Sequence, residues 1–181
     1  MIRYYVTDCR SGDVLDCAAR AIRDEVDLIQ VREKDLPAHA LLDLVTKIRD
    51  LAAGTKTQIL VNDRLDIALA TRVAGVHLPG KGLPAVRVRP LVNLLGVSVH
   101  SAEEAIEAER AGADFAVFGP VFDTPGKTAV GLEPLRQVVL SVKMPILAIG
   151  GVTMANADEV LRAGAAGIAG IRLFQSPPDR A

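Results

Sequence analysis

The chain has few aromatic residues: only 3% of its 181 residues are Phe or Tyr and none is Trp, although 50% are hydrophobic. A core built from it must rely on Val, Ile, Leu and Ala, the usual content of parallel strands buried on both faces. It also lacks net charge, at −1. No long-range field draws it to nucleic acid or an anionic membrane, and no basic and aromatic residues interleave as a base-stacking surface requires. Its two cysteines, Cys9 and Cys17, form neither a CxxC spacing nor the four-cysteine minimum of a disulfide framework. Two reduced thiols are therefore expected. No apolar run approaches the roughly 20 residues that cross a bilayer. The chain opens on an apparent strand rather than a basic and then apolar leader. A cytoplasmic protein is expected, and 181 residues suit one sizeable core better than two, so 1–181 is read as a single domain.

Short β-branched runs alternate with helical patterns throughout, which argues for parallel βα units. Eight strands are predicted near 2–7, 26–31, 58–61, 75–78, 94–99, 115–118, 146–149 and 167–170. Apolar residues at three- and four-residue spacing predict helices over 14–23, 38–51 and 102–111, and 155–163 fits the same role. Arg110-Ala-Gly-Ala-Asp-Phe-Ala-Val and Arg162-Ala-Gly-Ala-Ala-Gly-Ile-Ala each place Gly between a helix and a strand, with Ala74-Gly75-Val76 a shorter echo, and glycine there is expected to supply the left-handed conformation that ends the helix. Eight such units favour an α/β fold of the (β/α)8 TIM-barrel type over an open doubly wound sheet. These barrels usually run from about 200 residues upward. Only seven residues follow Phe174, two of them Pro177-Pro178, so the last helix is expected to be truncated or missing. The outer side of strand eight is then expected to be left partly uncovered or covered by a partner chain, which makes a homo-oligomer possible.

In such a barrel the C-terminal strand ends converge on one face. Two charged clusters fall there: Gln30-Val31-Arg32-Glu33-Lys34 after the second strand, and Asn62-Asp63-Arg64 after the third. Arg32 and Lys34 suit a diphosphate, one as a bidentate fork and the other as a point charge, with Glu33 holding either in place. Solvated ion pairs are the plainer alternative. Asp63 suits Mg2+, a hard cation that combines carboxylate with substrate phosphate oxygens, or else caps the following helix. Gly150-Gly151-Val152-Thr153 follows the seventh strand, where a strand-to-helix turn either aims backbone N–H groups at a phosphate or simply makes a tight corner. Barrel phosphate sites cluster after strands seven and eight, which favours the first reading. Ser98 and His100 end strand five. Thr124 and Lys127 lie in the 119–131 loop, long enough for a lid. His77 reads as a packed or hydrogen-bonded histidine, and His39 as an outer-helix residue without a role.

In order along the chain, these segments resemble the family that unites thiamin phosphate synthase with the TenI thiazole tautomerases. The carriers are Tyr4-Tyr5-Val6-Thr7-Asp8, Gln30-Val31-Arg32-Glu33-Lys34, Val61-Asn62-Asp63-Arg64-Leu65-Asp66, Gly75-Val76-His77-Leu78, Gly96-Val97-Ser98-Val99-His100-Ser101, Phe118-Gly119-Pro120-Val121-Phe122 and Ala148-Ile149-Gly150-Gly151-Val152. The resemblance implies joining of a pyrimidine methyl diphosphate to a thiazole phosphate. Diphosphate leaves to give a stabilised pyrimidine cation, which the thiazole nitrogen captures. It implies that Gln30, Arg32, Lys34, Asn62, Ser98 and Lys127 hold the pyrimidine diphosphate, that Asp63 binds Mg2+, and that Thr124 and Gly151 meet the thiazole phosphate. Glu33, His100, Gly150, Ile171 and Arg172 complete the expected substrate-binding set.

The chain departs from the synthase pattern at three places. Gly82 stands where a second Mg2+ carboxylate belongs, Thr124-Pro125-Gly126-Lys127 replaces Thr-x-Thr-Lys, and Ile171-Arg172 replaces Val-Ser. Arg172 either substitutes a charge for the lost hydroxyl or fills the phosphate pocket. Leu78-Pro79-Gly80 and Ser98-Val99-His100-Ser101 look closer to the tautomerase branch, yet Pro120 replaces that branch's catalytic histidine. A metal-free tautomerase and a non-catalytic barrel that binds phosphorylated metabolites remain the alternatives.

Overall fold

The computed structural model describes residues 1–174. Its frame is eight short strands: β1 (Ile2–Val6), β2 (Leu28–Val31), β3 (Gln58–Asn62), β4 (Gly75–Leu78), β5 (Leu94–Val99), β6 (Phe115–Phe118), β7 (Ile146–Ile149) and β8 (Gly167–Gly170). They pair in parallel in chain order, and β8 closes on β1, with Tyr4 opposite Ala169 and Tyr5 opposite Gly170. This is the expected TIM barrel.

Side chains alternate between inside and outside, as the period of a strand requires. Tyr4, Leu28, Leu60, Phe115, Val117, Leu147 and Ala169 fill the interior. Their neighbours, among them Tyr5, Ile29, Val61, Val76, Ala116 and Ile168, face the outer helices. Strand-to-strand register carries the inward set round the barrel, Leu60 beside Gly75, Gly75 beside Leu94 and Gly96 beside Phe115.

Seven helices cover the outside among the described residues: α1 (Val14–Arg23), α2 (Ala38–Leu51), α3 (Leu65–Thr71), α4 (Ala85–Val88), α5 (Ala102–Arg110), α6 (Leu132–Ser141) and α7 (Ala157–Arg162). Asp13 caps α1 by accepting from the Asp16 amide. Ser101 caps α5 by accepting from the Glu104 amide, while the Glu104 carboxylate takes the His100 N–H, so both sides of that helix start are satisfied. Gly112 (φ +86°) and Gly164 (φ +100°) are left-handed after their helices, as the repeated phrase predicted. Gly75 is not. There Arg72 takes the left-handed turn, and Gly75 is a buried strand residue where a Cβ would stand 1.7 Å from the Leu94 carbonyl oxygen.

The eighth βα unit ends in a single 3-10 turn, Arg172–Phe174. It corrects the expectation of an open outer face on β8. Phe174 packs against both outer clusters, its ring 6.1 Å from that of Tyr5, and the Arg3 guanidinium lies over it at 5.7 Å. Tyr5 and Ile168, on the outer faces of β1 and β8, are fully buried. Residues 175–181, with Pro177-Pro178, lie outside the described residues. Full burial of a Phe is worth about 3–5 kcal/mol on truncation. For the partly exposed Phe174, Phe174→Ala is expected to cost roughly 1–3 kcal/mol in urea unfolding, and an unchanged midpoint would show that the turn does not replace a helix.

Candidate active site

The barrel has two ends. The N-terminal one holds a depression of about 300 Å3 lined in part by Asp27, Lys56, Gln58 and Asp114. Its carboxylates already serve the fold: Asp27 accepts from the Arg3 amide, and Asp114 accepts from Arg89 and the Leu95 amide. At the C-terminal mouth, by contrast, cations stand without counter-ions. Arg32, Lys34, Lys127 and Arg172 form no ion pair among the described residues.

The β2 end explains how Arg32 is presented. Glu33 is buried and, contrary to expectation, holds neither Arg32 nor Lys34. Its carboxylate accepts from the Thr7 hydroxyl at 2.5 Å and the Cys9 amide at 3.0 Å, while Thr7 accepts the Arg32 amide at 2.9 Å. The loop after β1 is thereby tied to the end of β2, and the guanidinium is left half-buried near Asp8 and His77, where its positive charge favours ionised Asp8 and neutral His77. Lys34 is exposed just beyond.

Asn62 ends β3 opposite His77, partly buried. Asp63 is exposed, with φ +60°, and its amide donates to the His77 carbonyl. It does not cap α3; Arg64 occupies the cap position without a side-chain bond. Arg64 leaves the expected cluster by forking onto Asp66 at 2.7 and 2.9 Å. A Cβ at Gly82 would lie 2.9 Å from Asp63 Oδ1, so position 82 does adjoin this carboxylate. Among the described residues no group of three or more His, Cys, Asp or Glu is placed to hold a metal ion.

Beneath these groups runs a buried polar chain. Gln30 Nε2 donates to the Tyr4 hydroxyl at 2.8 Å, Tyr4 meets His77 Nδ1 at 3.1 Å, and His77 Nε2 meets Ser98 Oγ at 2.8 Å. Burial pushes the His77 imidazole down to about 3 and the Tyr4 phenol well above its ordinary range, so both are neutral at physiological pH. Ser98 therefore bonds a histidine rather than a backbone group, and His77 is the hydrogen-bonded histidine that its strand position predicts. Tyr4 and Thr7 stand in the sequence reading only within a family segment, with no role of their own. The signal available was strand parity, which turns Tyr4 inward on the same side as Ala169.

The β6–α6 loop is fastened along β7. The amides of Val121 and Phe122 donate to the carbonyls of Ile149 and Gly150, and Val130 and Gly131 return to Pro120 and Val121. Thr124 and Lys127 exchange backbone bonds around Pro125-Gly126, which leaves Lys127 exposed at the tip. Gly150 and Gly151 have a packing reason to be glycine. A Cβ on Gly150 would stand 2.5 Å from Pro120 Cα, and one on Gly151 2.6 Å from Phe122 Cβ. Nor does α7 follow directly; Asn156 accepts the Thr153 amide and donates to the Gly151 carbonyl. The Gly151 and Val152 amides have no partner among the described residues. Ile171 is half-buried and Arg172 exposed at the neighbouring β8 end. His100 donates from Nδ1 to the Gly119 carbonyl at 3.0 Å, linking the β5 and β6 ends.

Cations that form no ion pair and amides that find no acceptor among the described residues give the C-terminal mouth of this (β/α)8 barrel the donors of a phosphate-binding class. The thiamine monophosphate synthase family model matches residues 3–174. The chain is 41% identical to a putative thiamine-phosphate synthase of Geobacter sulfurreducens over 97% of its length and 87% of the relative's, and 42% identical to a thiamine-phosphate synthase of Methanocella arvoryzae over 97% and 88%. The solved structure of thiamine phosphate pyrophosphorylase from Pyrococcus furiosus superimposes with a TM-score of 0.91 at 36% identity, covering 98% of this chain and 89% of that one. The chain belongs to the thiamine monophosphate synthase family.

The hydrogen bond and charge of Glu33 hold the exposed Cys9 thiol above its ordinary pKa. Glu33→Gln is expected to lower the pH midpoint of Cys9 alkylation; an unmoved midpoint would break the assigned Glu33–Cys9 contact. His77 gives a second check. The unfolded chain takes up a proton near the ordinary value of 6.5 and the folded chain only near 3, so this contribution to stability is complete above pH 6.5 and lost as pH falls toward 3. Between pH 7 and 4.5 the unfolding free energy should fall by about 2–3 kcal/mol more in the wild type than in His77→Gln. Parallel pH profiles would place a charged His77 in the fold.

Proposed function

We infer that the chain is a thiamine-phosphate synthase, a transferase that joins a pyrimidine methyl diphosphate to a thiazole phosphate. The C–O bond to diphosphate breaks, the thiazole nitrogen lone pair forms the new C–N bond, and diphosphate carries away the electron pair of the broken bond. No proton need move in that exchange. What catalysis requires is stabilisation of charge on the departing diphosphate, supplied by fixed positive groups in a pocket that is partly shielded from water.

The observation that carries this reading is the set of mouth cations that form no ion pair among the described residues, Arg32 held by its own backbone bond to Thr7 foremost among them. Arg32, Lys34 and Lys127 are assigned to the diphosphate. Gln30, Asn62 and Ser98 are assigned to the pyrimidine diphosphate from the inner wall. Thr124 with Gly150, Gly151, Ile171 and Arg172 is assigned to the thiazole phosphate side, where the Gly151 amide has no partner among the described residues. Glu33 and His100 position the strand ends rather than contact the reacting atoms. Asp63, exposed beside Gly82, suits a Mg2+ held by one protein carboxylate and completed by diphosphate oxygens and water, an ordinary arrangement for that ion. When bound, Mg2+ would neutralise part of the leaving group's charge. A tautomerase reading lacks its proton carrier, because Pro120 occupies that position against Gly150.

With Mg2+ and both substrates, the purified protein is expected to release diphosphate in equal amount to thiamin phosphate formed. Arg32→Ala should lower kcat/KM by about 100- to 1000-fold, the usual effect of removing one preorganised charge-stabilising donor. Diphosphate binding by calorimetry without any product would instead identify a non-catalytic binding barrel. Conversion of a thiazole carboxylate phosphate in the presence of a chelator would identify an isomerase.

A further inference from the structure

The interior is too narrow and too apolar for a polar chain to be incidental. A buried polar group costs free energy unless it is hydrogen-bonded, and leucine would fill the same space without that requirement. Here four strands each contribute one member: Tyr4 from β1, Gln30 from β2, His77 from β4 and Ser98 from β5. The rings are locked. Phe115 packs edge-on against Tyr4 at 5.4 Å and 85°, and a Cβ on Gly96 would come within 2.8 Å of His77 Nδ1, so the missing side chain leaves room for the atom that meets Tyr4.

The direction of the chain follows from counting protons. Gln30 donates its amide N–H to the Tyr4 oxygen, which leaves the single phenolic proton for His77 Nδ1. An Nδ1 that accepts is unprotonated, so a neutral imidazole carries its proton on Nε2 and donates it to Ser98 Oγ. Ser98 then keeps its own proton for a ligand, while Gln30 keeps Oε1 to accept. A neutral imidazole carries one proton, so reversing the Tyr4–His77 bond reverses the His77–Ser98 bond with it, and it strands the buried phenolic proton unless Gln30 turns its Oε1 inward as well.

We propose that Tyr4 and His77 are positioning residues that fix Ser98 as a hydrogen-bond donor and Gln30 as an acceptor toward the pyrimidine diphosphate. The proposal rests on the transferase reading for the identity of that ligand. It deepens that reading into a rule of selection: the ligand offers an acceptor atom to Ser98 and an N–H to Gln30, and a heterocycle with the two exchanged sets donor against donor. Neither Tyr4 nor His77 touches the substrate in this arrangement; both act through the groups at the ends of the chain.

Long-range proton–nitrogen NMR of 15N-labelled protein is expected to show His77 with Nδ1 unprotonated and Nε2 protonated, and Tyr4→Phe should lose that preference. In steady-state kinetics Tyr4→Phe and Ser98→Ala should each lower kcat/KM for the pyrimidine diphosphate by about ten- to a hundredfold, as expected for one lost buried hydrogen bond. The double variant should lose clearly less than the product of the two single losses, since part of the effect of Tyr4 runs through Ser98. A protonated Nδ1 in the wild type, an unchanged tautomer in Tyr4→Phe, or multiplicative losses in the double variant would overturn the proposal. The wild-type spectrum decides the chain's direction even should Tyr4→Phe fold poorly. A wild-type protein without synthase activity would sink the transferase reading instead and leave that spectrum to judge the hydrogen bonds.

Discussion

Closure of the parallel barrel is the constraint on which everything else depends. Once β8 pairs with β1, every second side chain is committed to a confined interior, and its size is fixed by what the opposite strands contribute. Gly75 and Gly167 mark where the wall leaves no room at all, with a Cβ at either position falling within about 2 Å of a neighbouring backbone oxygen. Gly96 marks where room is lent to two rings, those of Phe115 and His77. The scarcity of aromatics is therefore economical in placement: Tyr4 and Phe115 are spent inside the barrel, and Tyr5 and Phe174 seal its outer seam.

The same closure divides the interior by depth. Toward the N-terminal end the inward residues are apolar, Leu28, Leu60 and Leu147 among them. Two residues further along β2, β3, β4 and β5 the inward positions are Gln30, Asn62, His77 and Ser98, whereas β6 and β7 stay apolar with Val117 and Ile149. An apolar floor beneath a polar layer keeps water from the underside of the site and strengthens every electrostatic interaction in that layer. The cations above it form no ion pair among the described residues, and Glu33, a buried carboxylate beside them, is spent on Thr7 and Cys9. Positive charge at the mouth is thus preserved by giving the negative charge other work, in keeping with a ligand that brings its own anions.

Much of this was legible in the sequence. Strand and helix alternation, the Gly turns after α5 and α7, and the order of the charged clusters are local patterns, and each lies where its pattern placed it. The misreadings share a cause. Glu33 was assigned to its neighbours Arg32 and Lys34, Arg64 to the ligand cluster, and Gly75 to a left-handed turn, because sequence reveals adjacency but not which group a side chain or backbone atom meets in space. Thr7, Asp66 and Leu94 decided those three residues. The open face expected on β8 failed for a related reason: a three-residue turn is too short to be seen as an element, yet it carries Phe174 onto Tyr5.

The sequence by itself determined the fold class, the family and the strand ends at which chemistry gathers, because these follow from periodicity and from motifs read within a few residues. Only the tertiary structure decided which polar groups are bound to the protein and which are left for a ligand, because that depends on contacts between strands 21 to 73 residues apart, from His77 with Ser98 to Tyr4 with His77. Parity along a strand turns a residue inward. What it meets there is set by register with its neighbours and by the width of the closed barrel.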